Sequence, residues 1–382
     1  MQQVGQINKV GTLIVQHLII PPQKKFVSPT SKVEKVFPMK TLLRVQKKLY
    51  PEIVQTMQER YTVLHSIYLL QPIGRRALAR KLGETERIVR REIDFLEKQK
   101  LIQITSKGMY ITSEGKAILN QLSPIMHEVM GIRKLERKLI ELLNINQVIV
   151  VAGNSDENDW IKQSMGKACV NYLKAHLQKN NTIAVTGGST IAAVAKEMIA
   201  FDTAKTCLYV PARGGIGERV ENQANTIASK MAQKTGGDYR LLYVPDPLSE
   251  SSYEMMLKEP SIAETLSIIN QANVVLHGIG DALTMAKRRK TKEKVIKRLK
   301  REQAISEAFG YYFNQRGDII HQVRTVGIQL EDLSNNKQVI AIAGGTSKAK
   351  AIISYFKRSK SNLLITDEGA AKAMVKELTK ED

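Results

Sequence analysis

The sequence is poor in cysteine, in clustered histidine and in long apolar runs, and each shortage excludes something. Among 382 residues there are two cysteines, Cys169 and Cys207, which stand in no CxxC pair and beside no histidine at ligand spacing. A disulfide framework is thereby excluded, and a reducing, cytoplasmic setting is expected. The longest apolar run, Val10 to Ile20, is 11 residues long and contains Gln16 and His17. A bilayer needs ~20 such residues, so no membrane span is expected. The six histidines, His17, His65, His127, His176, His277 and His321, are scattered, and neither a metal nor a cofactor is expected from them. The phosphate-loop pattern GxxxxGK[ST] does not occur, and Leu283 stands where the dinucleotide fingerprint after Gly278-x-Gly280 requires its third glycine.

Acidic residues are also in short supply: 37 against 58 basic ones, for a net charge of +21. With 43% hydrophobic residues the chain can bury real cores while attracting anions, so nucleic acid and phosphorylated ligands come first as partners. The length favours two domains at roughly 150 residues each. The charge is unevenly placed: +4 over residues 1–39, +8 over 40–112 and +9 over 113–382, and the stretch Lys287 to Arg301 accounts for the whole of that last value. A basic N-terminal block on an otherwise balanced body implies a nucleic-acid-binding head on a sensor or catalytic domain.

Residues 1–38 show no sustained period, carry Pro21, Pro22, Pro29 and Pro38, and read as an extension of low order, with Met39 as a second candidate start. Residues 39–112 read as a winged helix-turn-helix. Ile53, Val54, Met57, Tyr61, Leu64, Ile67 and Tyr68 recur at helical spacing up to Pro72. A short helix follows in Gly74 to Leu82, Gly83 supplies the turn, and Thr85 is a suitable N-cap for a third helix with Val89, Ile93 and Leu96 inward. Leu101 to Thr105 and Met109 to Thr112 then flank the turn Ser106-Lys107-Gly108 as a wing. The candidate DNA contacts are Arg75, Arg76, Thr85, Glu86, Arg87, Arg90, Arg91 and Lys107. A three-helix domain with ordinary solvated charges gives a similar pattern, but here the basic residues concentrate on the helix pair that DNA recognition requires. Residues 113–144 read as a helical linker whose stripe (Ile118, Leu119, Leu122, Met126, Val129, Leu135, Leu139, Leu142) fits a partner chain or its own core equally well.

From residue 145 to 382, β-branched runs alternate with helical patterns, which implies an α/β, Rossmann-like doubly wound parallel sheet. The expected strands are Val148 to Ala152, Ile183 to Thr186, Cys207 to Pro211, Leu241 to Pro245, Val274 to His277, Val339 to Ala343 and Leu363 to Thr366. Two of them end alike: Thr186-Gly187-Gly188-Ser189-Thr190 and Gly344-Gly345-Thr346-Ser347-Lys348 are both Gly-Gly followed by two hydroxyl residues and a helix. Such turns can present amides and hydroxyls to a phosphate at a helix N-terminus. Two of them imply a ligand with two anionic groups, neutralised by Lys348 and by Arg213 beside Gly214 and Gly215. His277 fits a ligand-facing or a structural role, and the cluster Phe309, Tyr311, Tyr312 and Phe313 after Glu307 fits a core better than a stacking surface.

The ordered motifs PIGRR, TGGST, PARGG, NQAN, HGIG, EAFGYYFN, AGGTSK and TDEGAA resemble the SorC family of sugar-responsive transcriptional regulators, over about Thr41 to Lys376. The resemblance implies a repressor of glycolytic genes with an isomerase/deaminase-like sensor domain and fructose 1,6-bisphosphate as effector. It also implies that Thr186 to Thr190 and Gly345 to Lys348 hold phosphates with Arg213 and Gln223 nearby, that Arg288 meets a phosphate and that Glu307 contacts sugar hydroxyls. Residues 1–38 have no counterpart in the family, and beyond Arg289 the basic stretch departs from it. The expected partners are operator DNA, a sugar phosphate and further copies of the chain as homodimer or homotetramer. The alternative is a sugar-phosphate isomerase or deaminase with an appended helical domain, for which Glu307, Asp367, Glu368 and His277 are the candidate bases.

Overall fold

The computed structural model describes residues 45–382 except 47, 202–205, 217, 218, 334–336, 360, 381 and 382. The extension expected at 1–38 lies outside the described residues. Helices α1 (Pro51–Leu70), α2 (Arg75–Leu82) and α3 (Glu86–Lys98) are followed by a hairpin of β1 (Ile102–Thr105) and β2 (Gly108–Ile111). The local chemistry is the expected one. Gly83 closes α2 in the left-handed conformation at φ +66°, and the Thr85 hydroxyl accepts from the Ile88 amide to cap α3. Ile67, Leu78, Ile93 and Met109 are buried to 1% exposure or less, each side chain stabilising the head by about 1.5–3 kcal/mol. Ile53, expected on the inner face of α1, is instead exposed, whereas its neighbour Val54 is buried.

The helical stretch that follows is two helices, α4 (Ser113–Val129) and α5 (Ile132–Leu143), broken at Gly131 with φ +71°. Helix α4 runs on through position 124 and packs on α1, whereas α5 packs on β3 (Gln147–Val151) and on the last helix, α14 (Glu368–Leu378). Leu119, Met126, Val129 and Leu139 are buried inside their own chain.

The body is built on a seven-stranded sheet in the order β3-β13-β12-β7-β4-β5-β6, parallel throughout, with β4 (Asn180–Val185), β5 (Thr206–Pro211), β6 (Asp238–Tyr239), β7 (Val274–Gly278), β12 (Gln338–Ile342) and β13 (Leu363–Asp367). Successive side chains alternate between its two faces. Val339 and Ala341 enter one core with α5, α13 (Ala349–Phe356) and α14, while Ile340 and Ile342 enter the other with α6 (Ile161–His176), α7 (Ser189–Glu197) and α8 (Ala224–Thr235). Both cysteines are free and buried.

One expected strand needs correction. Leu241 to Pro245 is not a strand: the Asn225 side chain donates to the Leu242 carbonyl and accepts from the Leu242 amide, and only an isolated bridge joins Pro245 to Gly215. The aromatic cluster lies in a second, four-stranded antiparallel sheet, β11-β10-β9-β8, formed by β8 (Gly280–Asp281), β9 (Ala304–Ala308), β10 (Tyr311–Asn314) and β11 (Ile319–Gln322). Phe309, Tyr311, Tyr312 and Phe313 are all buried there as core. Between β7 and β9 the chain forms α11 (Ala282–Arg288) and α12 (Glu293–Arg301), and α9 (Glu250–Lys258) and α10 (Pro260–Asn270) precede β7. No helix among the described residues is long and apolar enough to cross a membrane.

Candidate functional site

Strand order reverses between β4 and β7, and in open α/β sheets the crevice beyond the carboxyl ends at such a point is where ligands sit. A cleft lies there, open to solvent and with about 110 Å³ of water-accessible space. Its first wall is the turn from β4 into α7. Gly187 lies against the loop before α8 so closely that a Cβ would stand 2.7 Å from the Asn222 carbonyl oxygen, and Gly188 adopts φ +117° while donating its amide to that oxygen. The Thr186 hydroxyl accepts from the Gly278 amide at 3.3 Å, tying the ends of β4 and β7 together. Helix α7 has no side-chain cap, and its first residues Ser189, Thr190 and Ile191 line the cleft. Uncapped amides and the positive end of the helix favour an anion at this place.

The floor is a buried charge quartet. Arg213 pairs with Asp246 and reaches Glu307 Oε1 at 3.5 Å, while Arg289 donates to Glu307 Oε1 at 2.9 Å and to the Tyr312 hydroxyl at 3.0 Å. The Gly310 amide donates to the same Glu307 oxygen at 2.7 Å. Burial by itself would raise the Glu307 carboxyl, but Arg289, Arg213 and the Gly310 amide outweigh it and hold the group below the usual carboxylate range. Arg213 Nε and Asp246 Oδ1 have no hydrogen-bond partner among the described residues.

The opposite wall carries cations. Arg288 lines the cleft, and Lys348 Nζ donates to the Ile279 carbonyl at 3.3 Å. Burial first, then the nearby Lys162 and Arg288 charges, push the Lys348 ammonium below its ordinary value, so an anion entering here would relieve both penalties.

Of the effector residues expected from the sequence, Thr186, Gly187, Gly188, Ser189, Thr190, Arg213, Gly214, Gly215, Gln223, Arg288, Glu307 and Lys348 all line this one cleft. Gly345, Thr346 and Ser347 do not. Their amides donate to Asp367 Oδ2, Asn154 Oδ1 and Asp156 Oδ2, and the Ser347 hydroxyl donates to Asp156 Oδ1. The second Gly-Gly turn is therefore filled by the Asp367, Asn154 and Asp156 side chains of its own chain, and only Lys348 reaches the cleft from it. Gly214 and Gly215 also serve packing rather than amide presentation, since their amides donate to the Val326 and Val244 carbonyls. Sequence reasoning missed Asp246 and assigned no role to Arg289; the doubled arginine 288–289 was the available signal, one residue facing the cleft mouth and the next its floor.

His277 is structural. It is fully buried against Phe309, within 3.1 Å of the Ser361 hydroxyl and 3.2 Å of the Tyr355 hydroxyl, and burial pulls it down to about 4. Asp367 and Glu368, the other candidate bases, accept from backbone amides. Among the described residues no group of three or more His, Cys, Asp or Glu side chains is placed to hold a metal ion.

In the head, Arg87 and Arg90 project from α3 into solvent without an ion pair among the described residues. Arg75 and Arg76 lie near Asp94 and Glu86, at 3.7 Å and 3.5 Å, and Arg91 donates to Glu92, which is itself buried against Arg60. Thr85 is committed to its capping bond, and Lys107 stands exposed at the hairpin tip.

Residues 56–126 match the CggR N-terminal DNA-binding domain and residues 127–376 match a sugar-binding domain family. The chain is 52% identical to the central glycolytic genes regulator of Priestia megaterium, over 89% of this chain and 99% of that one. It is 46% identical to the Bacillus subtilis protein of the same name, over 89% and 100%. A SorC-family transcriptional regulator structure from Enterococcus faecalis superposes with a TM-score of 0.61 at 45% identity, covering 63% of this chain and 99% of that one. The chain thus belongs to the family of central glycolytic genes regulators, with a CggR N-terminal DNA-binding domain followed by a sugar-binding domain of SorC-family form.

Proposed function

We propose that the chain is a transcriptional repressor of glycolytic genes whose operator binding is tuned by a phosphorylated sugar, with fructose 1,6-bisphosphate as the effector. It acts in the cytoplasm as a homodimer or homotetramer, with the winged helix-turn-helix on operator DNA. The observation that carries this reading is the pairing, in one cleft, of an uncapped helix N-terminus on one wall with Lys348 and Arg288 on the other. One phosphate sits at the first turn of α7 and the second between Lys348 and Arg288, with Glu307 and Arg213 between them for sugar hydroxyls. The names of the relatives, both glycolytic gene regulators, support the same conclusion. An isomerase or deaminase would need a carboxylate or imidazole free to move a proton, whereas Glu307 is held by two guanidiniums and His277 lies outside the cleft lining. The chain is a regulator and not an enzyme.

For the effector to act it must prefer one assembly of the protein over another, because equal affinity shifts nothing. Each charge-assisted hydrogen bond is worth on the order of 1.5–3 kcal/mol, so removing one phosphate should cost at least about tenfold in affinity. Calorimetry of the full chain with fructose 1,6-bisphosphate, fructose 6-phosphate and fructose 1-phosphate tests the ligand, and equal affinities for all three would sink the bisphosphate reading. Binding to duplex from upstream of the chain's own gene, with and without the ligand, tests the regulation.

A further inference from the structure

The stretch Lys287 to Arg301 carries ten basic residues and one acidic residue. The sugar-phosphate cleft uses Arg288 and Arg289; the other eight are exposed. Helix α12 is anchored by Leu299, fully buried beside Tyr312, with Val295 and Ile296 half-buried around it. That anchor fixes the rotation of the helix and aligns Lys294, Lys297, Arg298 and Arg301, at i, i+3, i+4 and i+7, into one outward strip about 10 Å long at 1.5 Å per residue. Glu302 pairs with Arg298 and Arg301, each at 3.1 Å, but among the described residues no ion pair reaches Lys287, Lys290, Lys292, Lys294, Lys297 or Lys300. Like charges at these spacings oppose the helix that carries them, and a polyanion would remove that opposition. Beyond the end of α12 a polar groove adjoins the strip, where Glu302 stands beside the donors Gln303, Gln315, Arg316 and Lys357 and Arg316 pairs with Asp318 at 3.7 Å.

We propose that this face of α12 is a second DNA-contacting surface, lying on the sugar-binding domain and taking the phosphate backbone of duplex DNA. Each strand of a duplex carries one charge per ~3.4 Å of axis, so a strip about 10 Å long laid along one backbone faces about three phosphates. Lysine, arginine and side-chain amides are the donors that bind backbone oxygens without reading bases. The strip has no exposed apolar anchor of the kind that seats an amphipathic helix in a membrane interface. The contact is therefore independent of sequence, and distinct from the arginines of α3.

The test uses the full chain, a duplex lacking the operator, and salt from 50 to 200 mM. With Lys294→Gln, Lys297→Gln, Arg298→Gln and Arg301→Gln combined, affinity at 50 mM salt should fall at least about tenfold, and the slope of log K against log salt should become shallower by about 2–4, at ~0.9 per phosphate contact. Fructose 1,6-bisphosphate affinity should not move, and Tm should not fall. The same loss should appear on top of Arg87→Ala with Arg90→Ala, which separates this surface from the head whether or not the head recognises an operator. Lys294→Arg with Lys297→Arg should retain binding. An unchanged salt slope overturns the proposal, as does a loss of binding to phosphatidylserine vesicles with DNA binding intact. If the fourfold variant fails to fold, Lys297→Glu alone must still weaken duplex binding, and no change there overturns it equally.

Discussion

Glu307 accepts hydrogen bonds from Arg289, Arg213 and the Gly310 amide while almost wholly removed from water. Glu307→Gln would leave buried guanidinium charge short of a counterion, a loss of about 3–5 kcal/mol when one member of a buried pair is removed, readable as a lower urea midpoint. The pH dependence has a definite sign. The folded value of Glu307 lies below the ordinary one, so its contribution is complete above about pH 4.3 and disappears as the pH falls through the folded value. His277 acts over a different window. It stays neutral in the fold down to about 4, against 6.5 ordinarily, so the unfolded chain gains the proton first. Stability should drop from pH 6.5 to 4 by up to about 1.4 kcal/mol per pH unit from this group. In His277→Gln the urea midpoints between pH 4.5 and 7 should lose about one proton's worth of slope, and an unaltered slope would refute the assignment. The sequence allowed His277 two roles because its place at a strand end was legible, whereas the Tyr355 and Ser361 hydroxyls that enclose it come from 78 and 84 residues away.

At the scale of elements, the turn into α7 depends on backbone that only glycine adopts freely. Gly188 has φ +117° with open space where a Cβ would stand, so Gly188→Ala meets conformational strain rather than a clash, of order 1–3 kcal/mol. The expected result is a lower Tm together with weaker fructose 1,6-bisphosphate binding in calorimetry, since the same turn presents the first amides of α7. In the head, Thr85→Ala removes the cap of α3 at a cost of about 1 kcal/mol. Arg90→Ala leaves the fold intact and should weaken operator binding by about 1–3 kcal/mol if the side chain reads a base, measured by titration of labelled duplex. Caps, turns and β-branched runs were legible because their chemistry is local. Leu241 to Pro245 has the same apolar composition as a true strand, but the Asn225 side chain takes both backbone groups of Leu242, and no local pattern announces that.

For the whole molecule, the proposed regulation must be reciprocal: if sugar bisphosphate weakens operator binding by some factor, bound operator must weaken sugar-bisphosphate binding by the same factor. Calorimetry of the ligand against free and operator-bound protein checks this, and two unequal factors would show that the two sites are not linked through one equilibrium. The amino-acid sequence by itself determined the segregation of charge between head and body, the capped helices of the head, the alternation of strands and helices, and the glycine-hydroxyl turns, because each depends on neighbours a few residues apart. Only the tertiary structure decided which of two nearly identical Gly-Gly turns opens on the cleft. The Thr186 to Thr190 turn lies at the β4/β7 reversal with its helix uncapped. Gly345 to Ser347 lies one strand further out, where Asp156, 191 residues away from Ser347, occupies its donors. The two turns differ in the strand order around them and in the distant side chains that strand order delivers, and neither is encoded within the turn.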